Sequence, residues 1–246
     1  MINSKSSIGL LSVVICTSFT SPAFATNKVS SPEVTKDKLE LEYRGGYDMD
    51  DRNSRDGASQ HKFLVNYGIS DRLRPEVKII VNDPANKDVR VSGIEPGVKW
   101  QFLEKDEAWV SAALEGVYKI STESGSPDRF ESKLLLAKSL GNFQHLANIA
   151  IENELGSNRR PGTALLMSWK TKYHLNGYAD PGIEFYSDFG KLNDHLSYSE
   201  QRHQFGPTLS GGFGEHFRYD VGYLFGASHA ATDGRVKLIL DYIIQF

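Results

Sequence analysis

The chain has 246 residues, 39% hydrophobic and 24% charged, with a formal net charge of −3. So even a balance offers no basic surface for nucleic acid, and a single cysteine, Cys16, excludes a disulfide framework. The length suits one large β domain.

The first element in chain order is a targeting segment. Lys5 is a positive n-region, residues 8–19 an apolar h-region, and Ala23-Phe24-Ala25 a small-x-small cleavage site, so residues 1–25 read as a cleaved signal peptide. The apolar stretch is shorter than the ~20 residues a membrane-spanning helix needs. Cys16 follows Ile15, not the small residue of a lipoprotein site, so the mature chain is expected to lack cysteine and to be one charge more negative. Residues 26–37 are polar, hold Ser30-Ser31-Pro32 and show no period, and are expected to form a short periplasmic N-terminal segment.

From residue 38 to 246 the hydrophobic period is two almost throughout. Alternating runs fall at 39–47, 63–69, 77–81, 94–102, 110–118, 130–136, 147–151, 165–173, 183–189, 205–213, 217–225 and 236–246, which gives 12 expected strands. No stretch after the leader is long and apolar enough for a membrane helix, so only a barrel could span. The expected fold is all-β: a transmembrane, antiparallel, up-and-down β-barrel whose even strand number places both termini on the periplasmic side. Connections near 69–74, 103–108, 139–143 and 214–217 are short, whereas those near 48–59, 121–128, 155–162 and 190–202 are longer and polar, the asymmetry of periplasmic turns against extracellular loops. Val89 and Val91 are out of phase with Val98 and Trp100, which predicts a bulge near Gly93.

A soluble sandwich or lipocalin-like barrel would also alternate. It fails on strand count and on the placing of aromatics: Trp169, Tyr173, Phe189, Phe205, Phe213, Phe217, Tyr242 and Phe246 sit near strand ends on the apolar face, as interfacial girdles do.

The last run, Val236 to Phe246, has apolar residues at every second position and ends on Phe246; it resembles the terminal strand by which the bacterial insertion machinery recognises outer-membrane proteins. That resemblance implies an assembly signal carried by Tyr242, Ile244 and Phe246, although an aromatic is often found where Ile244 stands. Leu39-Glu40-Leu41-Glu42-Tyr43, Tyr67-Gly68-Ile69-Ser70-Asp71-Arg72 and Gly222-Tyr223-Leu224-Phe225-Gly226 with Asp233-Gly234 are similar to a group of uncharacterised, porin-like Gram-negative outer-membrane β-barrels loosely labelled transporters. The resemblance implies a fold and the bacterial outer membrane, with outer-membrane lipid and the insertion machinery as partners, and transfers no functional residue.

If the apolar face meets lipid, acids and bases in near balance line the interior. Glu42, Arg44, Lys62, Lys99, Lys170, Glu184, Arg218 and Asp241 are the expected pore-lining residues. Buried charges must be hydrated or paired, so the interior is either a narrow polar pore or a plug of cross-strand ion pairs. The function expected first is passive passage of small polar solutes with no cofactor and no metal. An outer-membrane lipid hydrolase is the runner-up: seven histidines are present, but no Gly-x-Ser-x-Gly arrangement accompanies them. His203 and His216 lie near strand ends, and Asp194, His195 and His203 lack metal-ligand spacing. A structural or surface-interaction barrel is the third reading.

Overall fold

A computed structural model describes residues 28–104 and 107–246. The expected signal peptide at 1–25, with Cys16, lies outside the described residues.

The described chain forms strands β1 (Lys38–Met49), β2 (Ser59–Tyr67), β3 (Leu73–Asp83), β4 (Arg90–Leu103), β5 (Ser111–Ser121), β6 (Asp128–Leu140), β7 (Phe143–Leu155), β8 (Thr163–Tyr173), β9 (Asp180–Lys191), β10 (Arg202–Phe213), β11 (Phe217–Gly226) and β12 (Gly234–Gln245). Each pairs antiparallel with its sequence neighbours, and β1 pairs with β12 from Lys38↔Gln245 to Met49↔Gly234, closing the sheet. All 12 expected strands are present. They run longer than the apolar alternation, because polar residues such as Gln60, Lys62 and Asn82 continue the inward face past the last outward apolar residue.

The hydrogen-bond ladders explain the local irregularities. Ile80 opposes Gly93 and Val81 opposes Val91, so Ser92 is the extra residue of a bulge at the expected place. Pro207 has no N–H to give, and the β10–β11 ladder lapses between Phe205↔Phe225 and Thr208↔Gly222 while the β9 side stays continuous. Gly206 fits that lapse: any Cβ there would be driven into the Tyr223 carbonyl oxygen. Pro96 in β4 coincides with a similar lapse against β5.

The exterior is an apolar skin. Phe63 is 52% exposed, and Val65, Val77, Ile79, Leu114, Ile183 and Val221 are likewise open on the outer face. Water would not tolerate such a continuous band; lipid favours it. Tyr67, Trp100, Phe143, Tyr173, Phe213, Tyr242 and Phe246 ring one end, and Tyr47, Tyr118, Phe130, Phe205 and Phe225 ring the other. The first end, where β1 begins and β12 finishes, carries the short connection at 141–142, and the longest connections, 50–58 and 192–201, lie at the opposite, loop end.

Residues 28–37, read above as part of a short periplasmic N-terminal segment, enter the barrel. Asp37 N–H donates to the Gly68 carbonyl at 2.8 Å and Phe246 N–H donates to the Asp37 carbonyl at 3.0 Å, which fixes the entry point. Gly68 is needed there because a side chain would strike the Thr35 carbonyl. From Asp37 the segment climbs into the lumen, where Val29 and Pro32 are buried.

Candidate functional site

The lumen is built by inward positions of every strand, and three arrangements fill it. In the first, the N-terminal segment bridges opposite walls. Ser30 N–H donates to Asn148 Oδ1 on β7 at 2.7 Å, and Asn148 Nδ2 donates back to the Ser30 carbonyl at 2.9 Å. Lys99 on β4 donates to the Ser31 carbonyl at 2.7 Å, and Val34 N–H donates to Gln101 Oε1 at 2.7 Å. Across the lumen on β1, Glu42 pairs with both Lys28 and Arg44, and Asp241 on β12 lies 3.8 Å from Lys28. Glu40, Glu42 and Asp241 are close enough to suggest a metal site, but Lys28, Arg44 and Lys38 already supply the countercharge.

Farther round the wall, β8, β9, β11 and β12 contribute a closed four-charge set. Lys237 Nζ lies 2.6 Å and Lys170 Nζ 2.8 Å from Glu184, whose side chain is fully buried. Both lysines also meet Asp220, and Tyr186 donates its hydroxyl to Glu184 at 2.8 Å. Two acids and two bases cancel, so this wall is structural filling.

A cavity of about 690 Å³ remains toward the loop end, with Lys28 and Arg44 in its lining. Its walls carry Lys62, Lys119, Arg129, Glu152, Asp188 and Arg202. Loop residues shape its rim: the hydrogen bonds it donates to Glu154 hold the Arg160 guanidinium above its ordinary pKa, and burial beside Arg52 pushes that of Arg55 down. Arg52 and Arg55 also donate to the carbonyls of His229, Ala230 and Ala231, tying loop 50–58 to 227–233.

The expected pore-lining residues therefore separate. Glu42, Arg44, Lys99 and Asp241 surround or hold the N-terminal segment; Lys170 and Glu184 belong to the four-charge set; Lys62 lines the cavity. Arg218 donates to the carbonyls of Gly214 and Phe217 at the short-turn end. Tyr242 and Ile244 lie on the outer side of β12, paired with Leu41 and Leu39, and the Phe246 ring meets that of Tyr67 at 6.4 Å. Among the histidines, His203 bonds Ser187 and Gln201 and stacks on Tyr198, a closed aromatic and hydroxyl environment.

Sequence reasoning did not find Asn148, Gln101 or the lumenal role of Ser30 and Ser31, since neutral amides and hydroxyls carry no charge signal. It also named only charged residues on the inward face, whereas Leu64, Ile80, Leu135, Leu224 and Ile239 share that face and are buried. Val29 shows why: it packs in a small apolar cluster with Ala137, Leu146, Tyr186 and Leu224 that the bare β pattern does not announce.

No family model matches the sequence, and neither does any curated protein. Among solved structures the chain is similar to an outer-membrane channel from Pseudomonas putida F1, with TM-score 0.66 and 9% identity over 91% of this chain and 99% of that one. It is also similar to the KdgM porin, with TM-score 0.57 and 11% identity over 82% and 98% of the two chains. The NanC porin gives TM-score 0.56 and 11% identity over 84% and 99%. At these identities the likeness is one of architecture: the chain shares the closed antiparallel barrel of outer-membrane porins and channels.

Proposed function

We propose that this protein is a channel of the bacterial outer membrane that passes small polar solutes by diffusion, with residues 28–36 as a resident obstruction. The observation that carries the reading is the cavity of about 690 Å³ inside a lipid-skinned barrel, with Lys28 of the inserted segment in its lining. The segment is held by side-chain amides, Lys99 and ion pairs and belongs to no β ladder, so it can leave without opening the wall. The fold shared with porins and channels supports the same reading. In this reading residues 1–25 are the export leader, both termini face the periplasm, and Tyr242, Ile244 and Phe246 on the outer edge of β12 present the assembly signal to the insertion machinery. Glu42, Arg44, Lys62, Lys99, Lys170, Glu184, Arg218 and Asp241 line or fill the conduit, with no cofactor required.

A permanently plugged barrel is the second reading, favoured by the cancelled Lys170–Glu184–Lys237–Asp220 set. Single-channel recording on the purified protein and on a form lacking residues 28–36 separates the two. Discrete steps, larger in the shortened form, are expected; silence from both folded barrels would overturn the channel reading.

A further inference from the structure

On the cavity wall two lysines depend on a single carboxylate. Lys62 on β2 and Lys119 on β5 both point at Glu95 on β4, at 3.7 Å and 4.0 Å, and Lys78 on β3 adds a third ammonium at 3.9 Å. Lys78 has its own acid, Glu76. Among the described residues, Glu95 is the only carboxylate within 4.0 Å of Lys62 or of Lys119. Two cations thus share one anion, and neither comes within ordinary hydrogen-bond reach of it. Their side chains are only 19% and 24% exposed, so bulk water replaces little of the missing charge.

The other acids lining the cavity do not relieve this surplus: Asp194 and Glu200 come within 4.0 Å of neither lysine, and the rest have bases of their own. Glu152 is paired with Arg129 at 3.4 Å, Asp188 with Arg202 at 2.7 Å, Glu131 with Lys133 at 2.9 Å and Glu154 with Arg160 at 2.5 Å. Both uncompensated ammonium groups line the open space, and its volume of about 690 Å³ falls in the range of roughly 300–1,000 Å³ typical of small-molecule sites.

We propose that Lys62 and Lys119 form a binding site for a small oxyanion, a carboxylate or phosphate group of the solute, on the cavity wall beside Glu95. The inference rests on the channel reading and names the solute class of that cavity. Each ammonium has three donors; a bridging oxyanion supplies the acceptors that Glu95 cannot reach and restores neutrality. Lys78, held by Glu76, stays as the fixed neighbour of Glu95.

The test is titration calorimetry on the folded, detergent-solubilised protein at low salt, with succinate and inorganic phosphate as separate probes and a neutral disaccharide as control. Saturable binding of at least one anion is expected, weakened about tenfold or more in Lys62→Gln and in Lys119→Gln and largely kept in Lys119→Arg. Response to succinate alone assigns a carboxylate solute, and response to phosphate alone assigns a phosphorylated one. Two results would overturn the site: neither anion binding the unaltered protein, or binding that is unchanged in both glutamine variants, each checked for folding by heat-modified gel migration. Calorimetry needs no conduction, so an electrically silent barrel that still binds anion would defeat the channel reading and keep the site, whereas a conducting barrel without binding would do the reverse.

Discussion

Asn148 and Ser30 exchange two hydrogen bonds, at 2.7 and 2.9 Å, although 118 positions separate them. This amide is the clasp between the β7 wall and the inserted segment. Asn148→Ala removes both bonds and leaves the Ser30 amide without its acceptor; at about 1 kcal/mol each, the detached form should grow on the order of tenfold or more. Open probability in single-channel recording measures this directly, and an unchanged value would show that Lys99 and Gln101 hold the segment unaided.

Glu184 is the hub of the four-charge set, and its loss should be felt in stability. Glu184→Leu leaves Lys170 and Lys237 with Asp220 alone in a buried wall, at a cost of about 3–5 kcal/mol. Adding Lys237→Met to the same variant should recover part of that loss, because it removes a buried cation along with its partner. Equilibrium unfolding in urea with lipid vesicles gives both numbers.

The outer face makes the opposite demand. Ile79 opposes Phe63 and Ile94 near mid-strand on the apolar skin. Ile79→Arg is expected to destabilise the inserted barrel by about 2–4 kcal/mol. If the same unfolding assay gave no loss, Ile79 would not face hydrocarbon.

Gly206 tests the backbone. In Gly206→Ala the new methyl meets the Tyr223 carbonyl, so β10 and β11 must part where Pro207 already weakens their ladder. A loss of about 1–3 kcal/mol is expected, with faster hydrogen exchange confined to these two strands.

The barrel was legible because its two environments impose a two-residue period on every strand. Val236 to Phe246 and Phe217 to Phe225 display that period with charges on one side only, and the bulge at Ser92 showed as a break in phase. What fills the lumen was not legible. Ser30, Ser31 and Val34 follow no period because they belong to no ladder, and their partners Asn148, Lys99 and Gln101 lie far along the chain. The overall balance of acids and bases likewise concealed the local excess at Lys62 and Lys119, since which charges meet depends on strand stagger and side-chain reach.

The seam where the first strand meets the last has a consequence for biosynthesis. Gln245 Nε2 donates to the Lys36 carbonyl across 209 positions, beside the Phe246 amide that pins Asp37. The same few atoms at the C-terminus therefore complete the wall and tether the inserted segment. Without β12, β1 and β11 would keep unpaired edges and the inserted segment would lack its hydrogen bonds from Gln245 and Phe246. Sealing the wall and seating the inserted segment are therefore one event at the β1–β12 seam.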